Sequence, residues 1–189
     1  MLHTGHRLSK DIDAFITDPQ HLSILSPRLG GEDIWACDTY AEAANHLKLV
    51  YPEGEIDFIV AATVTDLASE PMTIPEEQGV SSSHLIEIRT DHPVEIALKK
   101  LAYRAGALKV RDIFDIAVVD SRHHDLLSAN LHHATDAKHN VLDRLAGLSE
   151  DYARQELTEL DINEKWRHVA ETCLARTGAV VESIPERRS

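Results

Sequence analysis

Thiol chemistry is scarce in this chain. Its two cysteines, Cys37 and Cys173, lie far apart and fit no metal-ligand spacing. Nothing in the sequence ties one to the other, so reduced thiols in a cytoplasmic protein are expected. Positive charge is also short: 19 lysines and arginines face 32 acids, giving a net charge of −13 with histidine neutral. That balance argues against broad, non-specific nucleic-acid binding, which needs a basic footprint. It leaves room for a local basic groove, and it suits a basic partner or simple solubility. No apolar run reaches the roughly 18 residues of a membrane-spanning helix, so no membrane association is expected. The start, Met1-Leu2-His3-Thr4-Gly5-His6-Arg7, lacks the apolar core of a secretory signal. Internal repeats and low-complexity blocks are absent from the sequence.

What the chain does have is an apolar fraction of 43% over 189 residues, enough for one domain, or one domain with a small helical appendage. Near the start, Ser9-Lys10-Asp11-Ile12-Asp13-Ala14-Phe15-Ile16 sets two acids around one apolar residue and runs into a short apolar strand. Side chains two apart on a strand share a face. Asp11 and Asp13 therefore project together, with Ile12 expected to be buried behind them. Paired carboxylates repel unless a cation lies between them, and magnesium prefers oxygen ligands. The alternative is a strand start with two solvated acids.

Downstream, Asp18-Pro19 opens a short helix over residues 20–29, which Pro27 ends or bends before a Gly30-Gly31 turn. Residues 41–50 read either way: Ala41-Glu42-Ala43-Ala44 favours helix, and His46 onward alternates as a strand. Pro52-Glu53-Gly54 marks the turn of a hairpin whose second strand is Glu55-Ile56-Asp57-Phe58-Ile59-Val60. Residues 63–83 read mostly as loop, and 84–89 as a strand. Asp91-His92-Pro93 starts a helix that Gly106 closes, and a second helix spans 110–120. After Ser121 only helices are predicted: 125–132, 136–145, 149–157 and 164–176, then a loose tail. Twelve histidines include the pairs His123-His124 and His132-His133. A solvated helical face is expected for them, since a zinc cluster would find no cysteine there.

This order predicts an α+β fold: a small mixed sheet with flanking helices over residues 1–120, then a helical C-terminal part over 121–189. Asp57, mid-strand in the hairpin, is the best-placed third acid to join Asp11 and Asp13. Three carboxylates on a small sheet can gather metal ions, bind a nucleoside triphosphate and steer in-line attack on its α-phosphorus. Lys99 and Lys100 could offset the triphosphate charge; the alternative is an ordinary exposed pair on an amphipathic helix. Asp112 and Asp115 share a helix face, and for Asp112 the helix dipole is explanation enough.

The run Gly5-His6-Arg7-Leu8-Ser9-Lys10-Asp11-Ile12-Asp13-Ala14-Phe15 resembles the HRxSxDIDxF signature of the AbiEii/AbiGii toxin family of nucleotidyltransferases. A second block is similar to that family's KL…R…RDxxDL pattern: Glu95-Ile96-Ala97-Leu98-Lys99-Lys100-Leu101, then Arg104, then Arg111-Asp112-Ile113-Phe114-Asp115. Two blocks in the right order are far more specific than a lone DxD. The resemblance implies a polymerase-β-like nucleotidyltransferase fold with an added helical part. It implies a toxin–antitoxin or phage-defence role, a cognate antitoxin, and in some members transfer of nucleotides from an NTP to the 3′ end of tRNA. By position, Asp11 and Asp13 would hold magnesium, and Lys100, Asp112 and Asp115 would serve the catalytic centre. Ser9, Arg7, Arg104 and Arg111 would contact substrate. Asp57 as third ligand rests on strand position alone. Lys99, Lys100, Arg104, Lys109 and Arg111 form the expected RNA or triphosphate patch. The family's glycine turn ahead of the signature, whose amides would cradle a triphosphate, has no counterpart in the six residues before Arg7. The expectation is therefore a start further upstream or a truncated, poorly active chain. The alternative function is a catalytically degenerate homologue that only binds a protein partner.

Overall fold

A computed structural model describes residues 3–29, 35–75 and 85–187. Two compact units result, one from Leu8–Thr63, the other from Leu2–Arg7 together with Val64–Ser189.

In the first unit the strands are β1 (Ile12–Ile16), β2 (Thr39–Ala43), β3 (His46–Tyr51) and β4 (Gly54–Val60), with helix α1 (Gln20–Leu25) between β1 and β2. They form a mixed sheet in the order β1-β4-β3-β2, with β1 parallel to β4 and the other pairs antiparallel. The β3–β4 pair is the hairpin expected around Pro52-Glu53-Gly54. Alternation then sorts the side chains. Leu47, Leu49, Ile56 and Phe58 meet Leu22 of α1 in a small core, which leaves His46, Lys48, Asp57 and Asp13 on the opposite face. The helix-favouring Ala41-Glu42-Ala43 lies in β2. Cross-strand pairing with His46–Tyr51 and the bond from Ser26 Oγ to Glu42, 2.7 Å, override local propensity there. Ile12 is not buried behind the acids: β1 is an edge strand, and Ile12 is 59% exposed.

Gly54 sets where β1 begins. A Cβ at this position would lie 2.2 Å from the carbonyl oxygen of Lys10, and backbone on both sides leaves little room to yield. Gly54→Ala is expected to push Lys10, and with it Asp11, away from β4, destabilising the chain by about 1–3 kcal/mol. A urea melt checks this; an unchanged midpoint would contradict it.

The second unit pairs β5 (Glu70–Pro75) with β6 (Leu85–Thr90) and then turns helical: α2 (Pro93–Lys99), α3 (Val110–Asn130), α4 (Lys138–Ala146), α5 (Glu150–Thr158) and α6 (Arg167–Glu182). β5 falls inside the stretch read as loop, and a two-stranded ribbon tolerates Pro71 and Pro75 because it can leave amide positions unpaired. The expected turn at Gly30-Gly31 and the serines Ser81-Ser82-Ser83 lie outside the described residues. His92 caps α2 by accepting from the Val94 amide, with Pro93 in the first turn. α3 does not stop near residue 120. It runs on to Asn130, with a kink where His123 leaves helical geometry. Leu98 of α2, Ile113, Phe114 and Ile116 of α3, and Val169 and Val181 of α6 therefore share one core. His123 is not on a solvated face either, since its ring packs against His92 with centroids 5.3 Å apart. Cys173 is buried in this core, and burial pushes its thiol up to about 11. No helix among the described residues is long and apolar enough to cross a membrane.

Candidate functional site

The acids of the first motif belong to the sheet of the first unit. Asp11 directly precedes β1, and Asp13 is its second residue. In the parallel ladder Asp13 and Asp57 are direct partners, so the third acid inferred from strand position stands beside the first strand. Lys48 is opposite Asp57 on the other side. The carboxylate of Asp57 is engaged at both oxygens: His46 Nε2 is 2.8 Å from Oδ1, and Lys48 Nζ is 3.6 Å from Oδ2. Lys48 also donates to Glu55, and that bond, with the neighbouring Asp57 charge, raises its pKa against partial burial. Ser9 donates to the Asp11 carbonyl oxygen at 3.4 Å. The donor set of Asp11, Asp13 and Asp57 is all oxygen, which fits magnesium. As placed, no three His, Cys, Asp or Glu side chains among the described residues converge on a metal position; Asp57 is turned to its β3 partners instead.

The second motif block builds a buried ion cluster in the second unit. Lys100 Nζ donates to Asp112 Oδ1 at 2.7 Å and to Asp115 Oδ2 at 2.8 Å. Arg7 grips Asp115 with two bonds, Nε to Oδ1 at 2.8 Å and a terminal nitrogen to Oδ2 at 2.9 Å. Arg104 reaches Asp112 Oδ1 at 2.6 Å, and the Lys109 amide donates to Asp112 Oδ2 at 3.0 Å. Asp112 is thus both a helix-start acid and half of an ion pair. His6 Nε2 lies 2.7 Å from Asp115 Oδ1, while its Nδ1 faces the Thr4 hydroxyl. This is the pattern of a neutral ring donating from Nε2 and accepting at Nδ1. Asp112, Asp115 and Lys100 are all buried.

Burial alone would raise both aspartates. The Lys100 charge together with Arg104 at Asp112, and together with the His6 and Arg7 bonds at Asp115, outweighs it and holds both below the usual carboxylate range. Burial lowers His6, against the opposing pull of Asp115. The linkage follows from these directions. A histidine lowered in the folded state binds its proton more readily when unfolded, so stability falls as pH drops through the ordinary histidine value of about 6.5. The depressed aspartates add a second loss below their ordinary value of about 4. Urea unfolding between pH 7.5 and 5 is expected to show the first loss, and His6→Gln to flatten it. An equal slope in that variant would contradict the assignment.

Residues 1–185 match the family model described as "Nucleotidyl transferase AbiEii toxin, Type IV TA system". The chain belongs to the AbiEii nucleotidyl transferase toxin family. No curated protein and no solved structure matches it. The AbiEii match extends well beyond the two motif blocks, into the helices α4–α6.

Both blocks of this AbiEii chain are ordered, but the structure corrects one expectation drawn from them. The RNA patch of Lys99, Lys100, Arg104, Lys109 and Arg111 is not an exposed strip. Lys99 and Lys100 are only 5% and 8% exposed. Lys99 bonds Asp91 at 2.7 Å and stands 3.5 Å from Glu95. Neither is the ordinary exposed lysine of an amphipathic helix. Arg104 is committed to Asp112, Arg111 is half-buried in the first turn of α3, and Lys109 alone of the five is fully on the surface. Arg7, expected at substrate, holds Asp115. Sequence reasoning missed His46, Lys48 and Glu55, which surround Asp57, and His6, which completes the Asp115 shell. The signal for the first three was their period-two spacing on paired strands.

Proposed function

We propose that this AbiEii-family chain is a magnesium-dependent transferase that moves a nucleotide from an NTP to an RNA end such as a tRNA 3′ end, as the toxin of a toxin–antitoxin or phage-defence pair. The observation that carries the reading is that Asp13 and Asp57 are ladder partners on one small sheet, with Asp11 directly ahead of β1. Asp11 and Asp13 would hold the metal, and Asp57 would complete the oxygen set. Bound magnesium supplies charge neutralisation at the phosphates and lowers the pKa of an attacking hydroxyl. The hydroxyl gives up its proton to solvent, its oxygen bonds the α-phosphorus as the bond to pyrophosphate breaks, and pyrophosphate leaves. Lys100 has two of its three donors on Asp112 and Asp115, and its role toward the triphosphate is the one the family motif implies. In this reading the two acids fix the lysine rather than exchange protons, because their cations keep both ionised.

A second reading, a partner-binding homologue without activity, draws on the engagement of Asp57 by His46 and Lys48. Incubation with labelled NTPs and total tRNA separates the two. Magnesium-dependent label transfer, lost in Asp11→Ala and in Asp13→Ala, is the expected result. Transfer that survives both substitutions overturns the transferase reading; no transfer by the unaltered chain favours the binder.

A further inference from the structure

One rung of the first sheet reads Asp13, Asp57, Lys48, Ala41 from β1 to β2. Lys48 and Lys10 are the only lysines between residues 8 and 63, and the single arginine there, Arg28, pairs with Glu42. Lys48 is therefore the cation built into the rung of Asp13 and Asp57. Without it, Asp57 and Glu55 would stand two apart on β4 with Asp13 alongside, three negative charges on one small face. Nearby like charges raise one another's energy. An ammonium is a compact charge with rotatable donors on a flexible stem, so it can leave a carboxylate for a phosphate oxygen without moving the backbone.

We propose that Lys48 is an exchangeable counter-ion of the nucleotide site: it neutralises Asp57 and Glu55 in the free protein, and on nucleotide binding it transfers to the phosphates and releases Asp57 toward the metal. The proposal rests on the transferase reading above. It explains why Asp57 is turned to β3 while every ligand candidate is an oxygen donor. It makes Lys48 a substrate-binding residue that takes no part in the bond-making step.

The exchange gives Lys48→Met a signature that a structural lysine would not. Calorimetry on the full chain measures magnesium alone, then each of the four α,β-methylene NTPs at saturating magnesium. Magnesium alone is expected to bind about fivefold more tightly to Lys48→Met, since the lysine charge beside Asp57 is gone and His46 alone of its two β3 partners remains. The nucleotide analogue is expected to bind about tenfold more weakly, since a phosphate partner is gone. Lys48→Arg, which keeps the charge, is expected to restore most of the nucleotide affinity and guards against a folding artefact. Both affinities staying within twofold of the unaltered chain, or both moving in the same direction, overturns the proposal. Analogue binding that is absent from the unaltered chain itself overturns the transferase reading and this proposal with it.

Discussion

Asp115→Ala is expected to destabilise the chain by about 3–5 kcal/mol, the loss typical of breaking a buried ion pair from one side. The carboxylate accepts from His6, twice from Arg7, and from Lys100. Its removal leaves two buried cations and a histidine with Asp112 as the remaining acid of the cluster. Uncompensated charge in a low dielectric is what makes the loss large; the bonds of a solvated pair would be worth far less. For a domain of this size the melting temperature should fall by roughly 6–20 °C. Lys100→Met should be milder, because Arg7 and Arg104 still neutralise the two acids. Differential scanning calorimetry on both variants checks the order; a shift under about 2 °C for Asp115→Ala would mean that the cluster contributes little.

Asp13→Asn should do the opposite: abolish activity and spare the fold. Losing one anionic metal ligand removes several kcal/mol of transition-state stabilisation, which corresponds to a rate loss of about a thousandfold or more. The side chain is exposed at the start of an edge strand, and its ladder partner is another acid. Taking away its charge relieves repulsion, so the melting temperature should hold or rise slightly. Initial rates of label transfer and a melt on the same preparation test both halves. A rate within about tenfold of the unaltered chain would place the chemistry elsewhere.

Local patterns made much of this legible. Alternation and the Pro52-Glu53-Gly54 turn located the β3–β4 hairpin, and His92-Pro93 located the start of α2. Strand position alone picked Asp57, and the register sets it beside Asp13. What stayed hidden depends on partners distant in sequence. His6 and Arg7 meet Asp115 across more than a hundred residues. Lys99 and Lys100 read as surface residues because neighbouring positions on a helix seldom both face inward. Their separate acid partners, Asp91 with Glu95 and Asp112 with Asp115, make both inward positions possible. β2 hid behind helix-favouring alanines, and β5 behind its prolines. His46 and Lys48 looked like the polar side of a half-buried strand, which they are; only the β3–β4 register shows that this side carries Asp57.

If the acids of the first sheet make a metal–nucleotide site, nucleotide binding must depend on both magnesium and those acids. Calorimetric titration of the unaltered chain with an α,β-methylene NTP, with and without magnesium, against Asp11→Asn and Asp13→Asn tests it most directly. One saturable, magnesium-dependent site that both substitutions abolish, with their melting curves intact, is the expected result. Binding that needs no magnesium, or that persists in both variants, would contradict it.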